Sequence, residues 1–329
     1  MAAECREQLA RGEDPLAVRQ AARAAVAPAP RPTLTFDMAA ERYIAAHEPG
    51  WRNSKHRQQW QNTLKTYASP VIGKLDVAAV EAPHVLQILA PIWSTKSETA
   101  SRVRGRIECV LDWAKAHKHR TGENAAAWKG NLAHMLPALS KVRRVEHHAS
   151  MPYSELPTFY AQLLDRPAPA AAALRLAILA AGRTSEVLEA VWPEFVDGLW
   201  VIPPERMKGG REHRVPITAE IRVILEAQPR LAGNPYVFPG ERPMRPLSNM
   251  AMEMLLRRMG RDQFTVHGFR SSFRNWAGEQ MRWPRDIIEA ALAHAVEDKT
   301  EAAYLRTDYL MARRDLMTAW CEFVTGHRV

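Results

Sequence analysis

A chain of 329 residues exceeds what one hydrophobic core usually organises, so two domains are expected. A composition of 47% hydrophobic and 25% charged residues excludes an intrinsically disordered chain, and the longest apolar run, Ala170 to Gly182, is interrupted by Arg175 and too short to cross a membrane. Three scattered cysteines (Cys5, Cys109, Cys321) exclude a disulfide framework and a thiolate metal cluster, and no signal segment follows Met1, so a soluble, intracellular protein is expected. The net charge of +9 is unevenly spread. Residues 1–50 hold 6 Lys/Arg against 7 Asp/Glu, residues 51–144 hold 16 against 6, and residues 145–329 hold 23 against 23. The excess lies in the middle block, which points to a polyanion such as a phosphate backbone, unless it merely solubilises that surface. Its Lys and Arg are scattered among Trp, Tyr and Leu rather than lined along one amphipathic helix, which argues against a membrane surface.

In chain order, residues 2–23 read as a short helix ending near Gly12 and a polar stretch. Ala24 to Pro32, with Pro28, Pro30 and Pro32, reads as a semi-rigid linker. Thr35 caps a helix with Phe36, Ala40, Tyr43 and Ile44 on its apolar face. Helical patterns follow around Trp60, Leu64 and Tyr67, from Val85 to Leu89, and from Glu98 to His117. The last turns Val103, Ile107, Val110, Leu111 and Ala114 inward and carries Arg102, Arg104 and Arg106 on its other side.

Lys141 to Ser150 is the expected domain boundary, giving segments 1–32, 33–140, 141–150 and 151–329. Beyond it a helix starts near Ser154, and an apolar, buried helix runs to Gly182, which suits a C-terminal cap. Leu199–Ile202 and Arg214–Ile217 read as strands joined through Gly209-Gly210, with Tyr236–Phe238 as a third. Ser248 caps a helix closed by Gly260, and Thr265 caps another that places His267 and Arg270 on one face of its first turns. The fold class expected is mainly α with a small antiparallel β-sheet.

The residues that can carry chemistry are few, and each has a plain structural alternative. His267 and Arg270 at a helix N-terminus suit a phosphate and a proton transfer, or they are simply solvated. Arg183, at a break between helices with Glu186 three residues on, is a held cation or a helix-end ion pair. Lys208 at the hairpin tip is a mobile proton donor or an exposed turn residue. His294 stands in an apolar turn, and Tyr304 follows ten residues later, with Tyr309 its competitor as a nucleophile.

In this order, the segments AAGRTSEVL, MKGGREHRVPIT, HGFRSSFRNWA and LAHAVEDKTEAAYLRTD resemble the tyrosine recombinases, the phage-integrase family of site-specific DNA recombinases. Upstream, TFDMAAERYI, YASPVIGKLDV and ETASRVRGRIECVLDWA look like that family's helical core-binding domain in prophage-type integrases. The resemblance implies a core-binding domain followed by a tyrosine-recombinase catalytic domain, and strand exchange through a 3′-phosphotyrosyl link without a cofactor or metal. It implies Tyr304 as nucleophile, Arg183 and Arg270 as clamps on the phosphate and Lys208 as acid. His267 would be the base, His294 a phosphate hydrogen-bonder and Glu186 the support of Arg183. Lys55, Lys96, Arg102 and Arg106 are the expected contacts to duplex DNA. Assembly as a homotetramer on attachment sites is implied, with a host DNA-bending protein and an excisionase as further partners, in the cytoplasm at the nucleoid. Residues 2–19 look like the tail of an arm-binding domain, so the chain reads as shortened at its N-terminus. A dimer-resolving recombinase, a type IB topoisomerase and a catalytically disabled DNA-binding remnant remain as alternatives.

Overall fold

A computed structural model of the protein describes residues 33–51, 55–139, 149–280, 282–294 and 308–326, with fragments at 10–12, 14, 16, 17 and 20. The expected N-terminal remnant and linker, the boundary stretch 141–150 and Tyr304 fall largely or wholly outside the described residues. The chain divides into two compact units, Met1–Val145 and Glu146–Val329.

The first unit is helical. Helix α1 (Phe36–His47) begins where Thr35 accepts the Met38 N–H, and it buries Phe36, Ala39, Ala40 and Ile44. Helix α2 (Lys55–Thr63) runs through a π-helical turn into α3 (Ser69–Ile72). Helices α4 (Ala82–Trp93) and α5 (Ser97–Ala116) complete the core, and the five apolar α5 residues expected inward are all buried. The three α5 arginines do not share an outer face. Arg102 is exposed and paired with Glu98, whereas Arg104 is mostly buried against Glu108 and the Ala126 carbonyl. Arg106 is buried and donates to the Gln59 carbonyl over the Trp60 ring. Burial lowers its pKa from the usual guanidinium value, with Arg102 adding to the shift.

In the second unit, α6 (Leu156–Leu164) is followed by α7 (Pro169–Leu179), which is apolar all round and buried at every position from Ala170 to Leu179 except Arg175. A helix without a polar face must be surrounded, and its four consecutive alanines let neighbouring helices approach closely. Those neighbours are α6, α8 (Thr184–Leu188), α9 (Ala219–Glu226), α10 (Ala251–Arg258), α11 (Gly268–Glu279) and α13 (Leu310–Thr325). Helix α12 (Arg285–Ala291) packs against α11 and α13.

The sheet is antiparallel and three-stranded in the order β1 (Phe195–Val196), β2 (Leu199–Ile202) and β3 (His213–Pro216). Its third strand is therefore β1, not Tyr236–Phe238. The latter makes a single bridge from Tyr236 to Val191, and Pro239 follows, which has no N–H to continue a ladder. Between β2 and β3 lies a loop rather than a tight hairpin, and its tip is a turn in which the Gly210 N–H donates to the Met207 carbonyl.

Three other boundaries differ from the sequence reading. The left-handed residue that ends α7 is Ala181 (φ 46°) rather than Gly182. Gly182 is closely packed instead, since a Cβ there would sit 3.0 Å from Val187 Cγ2. Helix α11 starts later than expected, with His267 as its N-cap and Thr265 Oγ1 accepting the Gly268 N–H. Ser248 likewise lies one turn before α10, whose N-cap is Met250.

Candidate active site

The last turn of α12 and the two residues after it organise a cluster of cations. Arg183, the N-cap of α8, donates from Nη2 to the Ala293 carbonyl at 3.2 Å and to the Leu292 carbonyl at 3.4 Å. Its Nη1 and its backbone N–H are both taken by the buried carboxylate of Glu186, at 2.5 and 2.8 Å. Glu186 thus serves as the carboxylate half of a capping box while fixing the guanidinium.

Arg270, in the first turn of α11, is buried and donates from Nη2 to the same Leu292 carbonyl and from Nη1 to the Ala181 carbonyl, each at 2.5 Å. Ala293 (φ 49°), like Ala181, is left-handed, an arrangement that costs an alanine roughly 1–2 kcal/mol. Both strained residues close helix C-termini, whose exposed carbonyls carry partial negative charge suited to a guanidinium. Burial and the neighbouring Arg183 push Arg270 down to about 10, against the pull of Glu186 and Glu289. It remains a cation at neutral pH.

His294 stands just past this helix end, with Nδ1 2.5 Å from Glu289 Oε2 and Nε2 3.3 Å from Arg270 Nη2. Burial works to raise the Glu289 carboxyl, but hydrogen bonds and charge from His294 and Arg274 outweigh it and hold the group below the usual carboxylate range.

The structure therefore joins Arg183, Glu186, Arg270 and His294 into one bonded cluster. Lys208 is exposed at the tip of the β2–β3 loop, and His267 is exposed at the start of α11. The stem of the Lys208 loop is anchored: Arg206 pairs with Glu194 and donates to the Glu186 carbonyl at 2.6 Å, and Met207 is buried. Of the expected DNA contacts, Lys96 is exposed at the start of α5 and Arg102 is exposed. The Lys55 side chain lies outside the described residues, and Arg106 is engaged within its own unit.

Several residues at the site had no local signal in the sequence. His213, first in β3, is buried, and that burial, reinforced by Arg313, Arg270 and Arg183, pushes its pKa down to about 3 despite a hydrogen bond to the Ala291 backbone. As pH falls below the ordinary histidine value of about 6.5, the unfolded chain binds a proton that the folded ring takes only near pH 3, so folding stability drops through that window. His213→Gln should lose less stability between pH 7.5 and pH 5 than the parent, by ~2 kcal/mol in urea denaturation. Equal losses in the two proteins would rule out His213 as a source of acid lability. Arg206, Glu289 and Arg313 are identifiable only by the contacts they make.

Two family descriptions match the chain, the phage integrase central domain over residues 36–131 and the phage integrase family over residues 150–311. The chain belongs to the phage integrase family. This integrase is thus a tyrosine-type site-specific recombinase. It is 32% identical to prophage integrase IntZ of Escherichia coli (strain K12) over 329 residues, which cover 98% of this chain and 79% of that protein. It is 28% identical to the integrase of Enterobacteria phage P4, over 99% of this chain and 76% of that protein. The integrase shares its fold with a lambda integrase dimer solved on a COC′ core site, with a TM-score of 0.64 at 15% identity, covering 80% of this chain and 96% of that one. Among the described residues, no helix is long and apolar enough to cross a membrane and no cluster of His, Cys, Asp or Glu is arranged to hold a metal ion.

Proposed function

We propose that this integrase cuts duplex DNA at a specific site and rejoins it through a 3′-phosphotyrosyl intermediate, integrating or excising a prophage or genomic island. The observation that carries this reading is the convergence of Arg183 and Arg270 on one carbonyl, with Glu186 and His294 bonded to them. Cations fixed in advance in a site of low dielectric suit the non-bridging oxygens of a phosphate, where negative charge grows in the transition state. Arg270 Nε is buried with no protein acceptor among the described residues, a donor suited to such an oxygen.

Tyr304 Oη attacks phosphorus as the bond to the 5′-oxygen breaks. His267 takes the tyrosyl proton, and Lys208 gives a proton to the departing oxygen, the exposed loop tip allowing it to reach the leaving group. The 5′-hydroxyl of a partner strand then attacks the phosphotyrosine and expels Tyr304. The phosphodiester energy is kept throughout, so ligation needs no nucleotide. Lys96, Arg102 and Lys55 belong to the basic block and contribute phosphate contacts, with affinity that falls steeply with salt. Lambda integrase has been solved as a tetramer on a Holliday junction, which supports a four-copy assembly of this chain on its own DNA. A host DNA-bending protein and an excisionase complete the proposed partners, in the cytoplasm at the nucleoid.

Covalent trapping tests the reading. Nicked duplexes spanning the boundaries of the element that flanks the gene should yield an SDS-resistant protein–DNA adduct. DNA binding with no adduct on any boundary duplex would indicate a disabled DNA-binding protein instead. Lys208→Ala should slow adduct formation by about 10²–10⁴-fold. A 5′-bridging phosphorothiolate, whose leaving group needs no proton, should restore the rate. A phosphorothiolate that leaves the variant equally slow would remove Lys208 from the acid role.

A further inference from the structure

Arg274 lies one turn beyond Arg270 in α11. Its Nε and Nη2 both hold Glu289 Oε1, at 2.8 and 2.7 Å, while the other oxygen of that carboxylate, Oε2, faces His294 Nδ1 at 2.5 Å. The far nitrogen of the ring, Nε2, faces Arg270 Nη2 at 3.3 Å. Arg285 approaches the same carboxylate from its own helix, at 3.9 Å. An ionised carboxylate can only accept hydrogen bonds, and a guanidinium can only donate them. The imidazole between them is therefore constrained at both ends: Nδ1 must donate and Nε2 must accept.

We propose that Glu289, gripped by Arg274, is a positioning residue that fixes the Nδ1–H tautomer of His294, so that Nε2 accepts from Arg270 and steadies that guanidinium before DNA arrives. In that state the ring has no proton to offer a phosphate. It becomes a phosphate donor only on gaining a second proton, and Glu289 is placed to balance the charge this creates. Which ring nitrogen carries the proton is set by the partner of the other, so one carboxylate determines what the ring does on its opposite side. The effect on cleavage rests on the recombinase chemistry proposed above, whereas the tautomer itself does not.

Glu289→Gln is the informative substitution because it keeps the shape. Arg274 cannot accept a hydrogen bond, so the amide oxygen turns to Arg274 and the amide NH2 turns to His294. Nδ1 must then accept, and the ring proton moves to Nε2, where it opposes an Arg270 N–H. Two-bond 15N–1H correlations on the full-length chain labelled at histidine read the tautomer, with His294 assigned by the signal missing from His294→Asn. The expected parent signal is Nδ1–H, and the expected Glu289→Gln signal is Nε2–H, with adduct formation on the nicked duplex slowed about tenfold.

Adding Arg274→Leu frees the Gln oxygen to turn back to His294. The double variant should therefore regain the Nδ1–H signal and recover to about a third of the parent rate. A Glu289→Gln protein that keeps Nδ1–H and cleaves normally would overturn the proposal, as would a double variant no better than the single one. A parent protein that forms no adduct but shows Nδ1–H at His294 would sink the recombinase reading and leave the tautomer assignment standing.

Discussion

Tyr304→Phe is expected to form no covalent adduct on a nicked attachment-site duplex, a fall of about 10⁴-fold or more, while DNA affinity stays within about threefold. The split follows from what the hydroxyl supplies. It is the attacking atom of the proposed reaction, so removing it leaves water as the only nucleophile. It contributes little to binding, which rests on many phosphate contacts from the basic block. Tyr309 is the competing tyrosine. It caps α13 in a left-handed conformation (φ 55°), directly after Asp308, which is paired with Arg214 at 2.8 Å and whose carbonyl accepts from Arg313 at 3.1 Å. That anchoring fixes its backbone to the end of a packed helix. Tyr309→Phe should therefore still form the adduct, and an adduct lost in Tyr309→Phe but kept in Tyr304→Phe would reverse the assignment.

Arg270→Ala should slow adduct formation by about 10³-fold and destabilise the protein by ~3 kcal/mol, read from single-turnover cleavage and urea denaturation. Both effects have one source. The guanidinium is 4% exposed and satisfies the Ala181 and Leu292 carbonyls. Truncation leaves the Ala181 carbonyl unpaired and the Leu292 carbonyl with only the longer contact from Arg183 at 3.4 Å, and it removes a cation from the position where phosphate charge develops in the proposed reaction. Release from repulsion by Arg183 offsets part of the loss without reversing it. Arg270→Lys should rescue poorly, since an ammonium cannot span two carbonyls and a ring nitrogen in one plane. Cleavage within tenfold of the parent in Arg270→Ala would show that this guanidinium does not clamp the phosphate.

The family and the mainly helical fold were legible because their signals are local. The α7 run is apolar on every side, Thr35 precedes an amphipathic pattern, and Glu186 stands at capping distance from Arg183. What was not legible depends on contacts between residues far apart in the chain. Arg106 looks like a surface cation until its guanidinium is seen to reach Gln59 and Trp60. Tyr236–Phe238 has strand composition, but the edge beside β2 is taken by β1. Gly182 carries the turn signal while the neighbouring alanine adopts the turn, and the glycine itself lies tightly against Val187 without a left-handed backbone. His213 and Glu289 gain their roles only when β3 and α12 reach the arginines.

Arg183 and Arg270 come from different helices yet rest on the same Leu292 carbonyl. Neither guanidinium can be retuned alone, since a shift of that one peptide moves both. Their substitutions should be epistatic, and the spacing of the two charges is a property of a single joint in the chain rather than of two separate side chains. An engineer seeking altered cleavage should redesign the end of α12 as a unit, because the spacing of the two guanidinia proposed to hold the phosphate is set there.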